Sequence, residues 1–563
     1  MNFRLFAPLF AAFWLAAHAA RAAEDDASRL PRQELTPQIL FQFLLAEIAG
    51  TRGEVGLAVE AYRDLARNTR DPRIARRAAE IAFYARRYDI AIESARLWIE
   101  VEPESALAQQ MMTALLAAAG RIEELAAHLS RQLAAEKAGA GFGPSLMHLN
   151  RQLARLPDKR ATLRLVEQLT VPYTDIAEAR FARAQAAHNA GDQALAVAEI
   201  DEALSLRPDW EPAALMRAQL AAKVVDALDF LGRFVSANPK ASEARLAYAR
   251  LLVGERRYAD ARREFGELLA AAPDNVDTIY AVAVLSLQLN DLKAAEAHLM
   301  RLIELNSPEI NGARIYLGQI AEEGKRWDEA LKWYEEVAPG AQYLPARLRI
   351  AHVLVRQGKL DEARRHLRET AAADPRERTQ LLIGEAQLLR EAGRHADVFA
   401  VLDGGLAAQP DQPELLYETA LAAERVGRIE QMERNLRRLI ELKPDHAHAY
   451  NALGYSLVDR NVRLDEAQAL IEKAVQLSPQ DPYILDSKGW LLFRRGDTAG
   501  ALEILRRALA LRADPEIAAH LGEVLWAAGQ RDEARKTWED ALKANPANAA
   551  NETLLGTIRK FHP

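Results

Sequence analysis

Between Ala447 and Pro546, apolar positions recur three and four residues apart, as in Leu464, Ala467, Ile471 and Ala474, with Asp465, Glu466, Glu472 and Lys473 between them. This spacing puts apolar side chains on one helix face and charges on the other, so it predicts consecutive amphipathic helices. Three segments of the stretch superimpose at a period of about 34 residues: AHAYNALGYSLVDRNVRLDEAQALIEKAVQLSP, PYILDSKGWLLFRRGDTAGALEILRRALALRA and EIAAHLGEVLWAAGQRDEARKTWEDALKANP. Gly454, Gly489 and Gly522 coincide, as do Ala467, Ala501 and Ala534, and then Ala474, Ala508 and Ala541. Pro479 and Pro546 close the outer two segments, and Ala513 takes that place in the middle one.

Small residues at these places let two antiparallel helices approach closely, and the proline forbids the second helix from running on. The unit is a helix-turn-helix repeat of tetratricopeptide type. Earlier in the chain the interhelix alanine recurs at Ala58, Ala91, Ala196, Ala227, Ala261, Ala295, Ala330 and Ala363. Helix stops are expected at Pro103, Pro208, Pro239, Pro273, Pro375, Pro410 and Pro444. The predicted fold is all-α, a tetratricopeptide-repeat solenoid with a superhelix of about 14 or 15 helix pairs. Residues 36–135 form its N-terminal repeats, 136–175 a degenerate repeat or flexible joint, 176–546 the remaining repeats, and 547–563 a helix capping the last apolar face. At 563 residues the length alone suggests about four domains, but a repeat makes the chain one quasi-linear stack.

Hydrophobic residues make up 50% of the chain and aromatic ones only 7%, which suits alanine-rich, close-packed helices and leaves little room for β-structure. The net charge of -7 argues against a surface that tracks phosphates, so nucleic acid is not an expected partner. There is no cysteine, which excludes disulfides, thiolate metal sites and acylation at an N-terminal cysteine.

Residues 1–22 read as a secretory signal, with Arg4 ahead of an apolar run from Leu5 to Ala17 and small residues before Glu24-Asp25-Asp26. Cleavage is expected after Ala22, or alternatively Ala19; retention as an N-terminal anchor is the other reading. The run is shorter than the roughly 20 apolar residues of a spanning helix. Residues 23–35 lack periodicity and read as a flexible leader, and the mature chain is expected in the periplasm without a transmembrane span. Order should begin at Thr36-Pro37, a capping residue followed by a first-turn proline, with Leu35 and Leu40 placed for a hydrophobic staple.

No nucleophile-elbow, zinc-protease, kinase or nucleotide-loop pattern is present, and no cofactor, metal site or catalytic residue is expected. Gly139, Gly141 and Gly143 have no strand before them and no Lys-Ser/Thr after them, and read as a flexible joint. His446 and His448 beside Asp445 make an incomplete ligand set. Two surfaces are candidates for binding protein. The first helix carries Phe41, Phe43 and Leu44 beyond what one buried stripe needs, so either the next repeat covers it or it docks a partner. Near it Arg67, Arg70, Arg73, Arg76 and Arg77, with Arg86 and Arg87, are either solvated helix surface or a site for an acidic partner. The second surface is the inner groove of the C-terminal repeats, where positions flanking the glycine place Asn451, Tyr455, Asp459, Asp486, Trp490, Phe493, Arg494, Glu523 and Trp526. The aromatics could grip apolar side chains while Asn451 and Arg494 bond a peptide, or Trp490, Phe493 and Trp526 could only pack adjacent repeats. The lysine-asparagine clamp of chaperone-binding tetratricopeptide domains is absent from these positions.

The opening run LTPQILFQFLLAEIAGTRGEVGLAVEAYRDLARNTRDPRIARRAAEIAFYARR, Leu35 to Arg87, resembles the start of a proteobacterial family of exported tetratricopeptide proteins. That family includes the outer-membrane lipoprotein that partners a periplasmic carboxy-terminal processing protease. The resemblance implies an adaptor that presents cell-wall hydrolases or other substrates to such a protease, and association with the outer membrane through a partner, since the lipobox cysteine is missing. A structural part of an envelope assembly, such as an exopolysaccharide or pilus export complex, is the other expectation. Neither the cargo nor the oligomeric state is legible in the sequence.

Overall fold

The computed structural model describes residues 34–137, 139, 141–154, 156–544 and 551–561. The expected signal segment, nearly all of the leader and Pro546 lie outside the described residues. The described chain holds 31 α-helices and no strand. They run as fifteen successive pairs and one final helix, from Pro37–Thr51 with Val55–Thr69 to Pro515–Ala527 with Arg531–Ala544, followed by Asn551–Phe561. Two compact units divide at Pro273 and Asp274, the first with seven pairs and the second with eight and the final helix. No described helix is long and apolar enough to cross a membrane.

Within each pair the contact is set by the small residues. Ala58, Ala91, Ala196, Ala261, Ala295, Ala330, Ala363, Ala467, Ala501 and Ala534 are all 0% exposed. Opposite them, a Cβ on Gly489 would stand 2.5 Å from Leu505 Cγ, and one on Gly522 would stand 1.8 Å from Trp538 Nε1. A Cβ has no room at either place, so these two first helices present glycine where the second crosses. Most turns inside a pair place one residue in the left-handed region two positions before the second helix. Gly496 and Gly529 supply it at φ 89° and 82°, whereas Arg86 and Lys325 adopt it at φ 56° and 57°.

Most second helices end just before the expected prolines: Tyr88–Val101 before Pro103, Gln193–Leu206 before Pro208, Leu464–Leu477 before Pro479. Pro375 departs from this. The preceding helix stops at Glu369, and Pro375 instead opens the helix Pro375–Glu391, where Asp374 caps and a missing N–H costs nothing. Residues 136–175 contain the helices Phe142–Gln152 and Lys159–Thr170, both packed on Ala177–Asn189 inside the first unit. Phe142 meets Tyr173 edge to face at 4.9 Å, and Asn150 Nδ2 donates to Ala182 O at 2.7 Å. Thr36 Oγ1 accepts from Ile39 N at 3.3 Å, so Pro37–Thr51 starts at the expected cap. The staple does not bury its residues: Leu35 is 70% and Leu40 43% exposed.

Ala501→Leu is expected to overpack the pair Pro482–Arg494 and Thr498–Leu511 by about 1–3 kcal/mol. A repeat couples mainly to its neighbours, so amide exchange should quicken between Ala447 and Ala544 and remain unchanged between Pro37 and Val101. Equal loosening of both regions would contradict this.

Candidate protein-binding surfaces

The helix Pro37–Thr51 settles against its neighbours through alanines, with only Ala46 and Ala49 buried. Leu44 lies three and four positions after Phe41 and Leu40, and Ile48 four after Leu44, so these residues form one stripe; in chain order they are 43%, 65%, 48% and 48% exposed, and Phe43 is 38% exposed. Its one acidic residue, Glu47, accepts from the Tyr62 hydroxyl. Among the described residues, the next repeat therefore leaves this face about half exposed.

The arginine cluster fares differently. Arg67 pairs with Glu93, Arg70 with Glu100 at 2.6 Å, Arg73 with Asp71 at 2.7 Å, and Arg76 and Arg77 with Glu80 at 2.8 and 3.7 Å. These five guanidiniums are half-solvated and already matched by carboxylates of the same chain. They form a salt-bridged, half-exposed helix surface in which Arg76 and Arg77 share one carboxylate.

In the C-terminal repeats the nine residues assigned to one groove fall into two assemblies. The first is a buried network joining the first helices of three pairs, Ala447–Asp459, Pro482–Arg494 and Pro515–Ala527. Asp486, 5% exposed, accepts from His520 Nδ1 at 2.9 Å, and Tyr455 Oη lies 3.3 Å from Glu516 Oε1 and 3.4 Å from His520 Nε2. Trp490, also 5% exposed, stacks on His520 at 4.5 Å and 19°, with Phe493 5.3 Å from it and Arg494 lying over its ring at 5.7 Å. Arg494 Nη2 donates to Asp459 O at 3.0 Å. Asn451 Oδ1 and Trp490 Nε1 are buried and make no hydrogen bond among the described residues. Trp490 is thus enclosed by its neighbours, and Asp459 and Arg494 are what the network exposes.

The second assembly seals the end of the chain. Trp526 stacks on Trp538 at 5.9 Å and meets Phe561 at a tilt at 5.8 Å, Leu554 is 0% exposed, and Lys560 Nζ reaches Glu523 at 2.6 Å. Glu523 and Trp526 hold the final helix Asn551–Phe561 instead of lining an open groove.

Burial alone would push the His520 imidazolium down, but the Asp486 charge and hydrogen bond, with Glu516 behind them, outweigh it and hold the group above its usual value. Burial pushes Glu516 up, and Tyr455 rises through burial and the charges of Glu516, Asp459 and Asp486. His520 and Glu516 were missed in the sequence. The available signal was an aspartate three positions before one repeat's glycine and a histidine two before the next, Asp486 and His520.

Tetratricopeptide-repeat family models match residues 177–209, then 223–276, 280–345, 348–413 and 417–482, then 492–557. A TPR repeat-containing protein of Pseudomonas aeruginosa is 36% identical over 492 residues, 86% of this chain and 82% of its own length. The cellulose synthase operon protein C of Pseudomonas fluorescens is 25% identical over 331 residues, which are 49% of this chain and 26% of that one. Among solved structures, a thermophilic TPR protein of Thermus thermophilus aligns at TM-score 0.30 and 23% identity, over 32% of this chain and 98% of its own.

The network predicts a pH dependence. A histidine whose folded-state value is raised stabilises fully below its unfolded value of 6.5, and that stabilisation is lost as pH rises through the folded value. The raised Glu516 works in the same direction over a lower window, starting at its ordinary 4.5. Protection of the Pro515–Ala527 amides, corrected for intrinsic exchange, should therefore fall as pH rises past about 6.5. In Asp486→Asn the slope above that point should vanish; an unchanged slope would contradict the assignment to this pair.

Proposed function

The chain belongs to the tetratricopeptide-repeat family, and from that premise we propose that it is a noncatalytic periplasmic adaptor that holds a carboxy-terminal processing protease and presents cell-wall hydrolases or other substrates to it. Tetratricopeptide repeats are protein-binding scaffolds, and family models for them match most of the chain from residue 177 to residue 557. The observation that carries the proposal is the stripe Leu40, Phe41, Leu44 and Ile48, about half exposed on an otherwise ordered helix. Water-exposed apolar area in a contiguous stripe is costly unless a partner buries it. The stripe lies in the first compact unit, and the exposed Asp459 and Arg494 lie in the second, which gives an adaptor separate regions for separate partners.

A structural part in an exopolysaccharide export complex is the second reading, favoured by the likeness to cellulose synthase operon protein C. Capture from periplasm separates the two: protease and hydrolases for the adaptor, synthase or secretin components for the other.

Phe41→Glu with Leu44→Glu replaces exposed residues, so the helical signal should be unchanged. The variant should lose one captured partner by about 2 kcal/mol or more, roughly thirtyfold in Kd, and keep the other. Retention of every partner, or loss of all of them, would contradict separate docking. The mature chain should begin at Ala23 and leave the cell with the periplasmic fraction; recovery in washed membranes without a partner would contradict the proposed compartment.

A further inference from the structure

In the second compact unit, the first helices of two successive pairs, Ile310–Glu323 and Tyr343–Arg356, face each other across an open cavity of about 650 Å³. Ile315 comes from one wall and Pro345 and Leu348 from the other, so the floor is apolar. The rim is cationic. Along one face of Tyr343–Arg356 the apolar Leu348 is followed one turn later by His352 and two turns later by Arg356, with Arg349 beside them. The one carboxylate in the lining, Glu322, is taken up by the Tyr334 hydroxyl at 2.5 Å and faces Arg349 at 3.8 Å. Arg356 is exposed, and among the described residues no carboxylate pairs with it. In a chain of net charge -7 this is a local reversal of sign inside a concave site.

The geometry points to this cavity as a binding site for an extended peptide segment that combines apolar and acidic side chains, the apolar ones seated on Ile315, Pro345 and Leu348 and the acidic ones on Arg356, His352 and Arg349. A guanidinium without an internal partner gains most from a carboxylate, because it can take it with two parallel hydrogen bonds. The two turns from Leu348 to Arg356 measure about 12 Å, a span that an extended chain covers in about four residues. The same reach excludes a compact anion as sole ligand, since it would leave the apolar floor uncovered. This site deepens the adaptor reading: it is where that reading would place the cargo rather than the protease.

The test uses the full chain and a fluorescein-labelled, degenerate nonapeptide pool made of Leu, Ile, Phe, Asp and Glu, followed by anisotropy. Matched pools replace the acids by Asn and Gln, or by Lys, and a further acidic pool carries a C-terminal amide. The acidic pool should bind at least tenfold more tightly than the Asn/Gln or Lys pools, weaken as salt rises, and lose at least tenfold in Arg356→Glu and in Ile315→Glu. Retained binding of the amidated acidic pool supports recognition of side-chain carboxylates; its loss assigns binding to the chain terminus and overturns the proposed seating of acidic side chains. Equal binding of acidic and neutral pools, or an Arg356→Glu variant with unchanged helicity and unchanged binding, overturns it. Capture from periplasm with the same variant keeps the two conclusions apart. If the wild type captures proteins and Arg356→Glu captures them equally well, this site falls and the scaffold stands. If the wild type captures none but still binds the acidic pool through Arg356, the site stands and the adaptor reading falls.

Discussion

The structure depends on one steric constraint: the two helices of a pair cross so closely that only small residues fit at the crossing, and in several pairs the backbones leave no room for a side chain. At Gly454 a Cβ would sit 2.7 Å from Ile471 Cγ1, and at Gly318 it would sit 2.4 Å from Tyr334 Cε1. The residue opposite pays the complementary cost in size, so that alanine occupies the second helix and a large side chain, Ile471 or Tyr334, one turn on, fills the space the glycine vacates. Close packing of this kind recovers dispersion energy over the whole crossing and fixes the pair's geometry. The turn, the helix lengths and the face offered to the next pair follow from it.

A stack built this way must deal with its two ends. At the C-terminal end the problem is solved internally, because Trp526, Trp538 and Phe561 close over Leu554 and bring the last helix down on the final pair. At the other end Pro37–Thr51 packs through alanine and leaves Phe41 and Leu44 in water. The buried network of Asp486, His520, Glu516 and Tyr455 belongs to neither end. It joins three successive first helices through polar bonds, which fix register more sharply than apolar contact, and it makes the strength of that join depend on protons.

Much of this was legible in the sequence, because the constraint acts residue by residue. Gly489, Ala501 and Pro479 each perform their role through their own covalent geometry, so spacing alone revealed the pairs and their number. Features made by distant partners were not legible. Arg67 and Arg70 look like a positive patch until Glu93 and Glu100, on the following pair, fold against them. His520 sits in the apolar run AAHLGEVL with nothing local to mark it, and only the fold brings Asp486 alongside. Trp526 holds an inward position in its repeat, and only the fold brings Phe561 of the final helix against it. Pro375 misled for a simpler reason, since proline is as suited to opening a helix as to following one.

The central claim is that this chain holds different proteins on different regions of an otherwise passive stack. It is tested most directly by placing a photo-crosslinking amino acid, in the living cell, at Phe41, at Arg356 and at the exposed Arg434 of the second helix Ile429–Leu442, and identifying what each position captures. The account predicts one set of proteins at Phe41, a different set at Arg356, and little at Arg434. The same proteins at all three positions, or none at the first two, would contradict it.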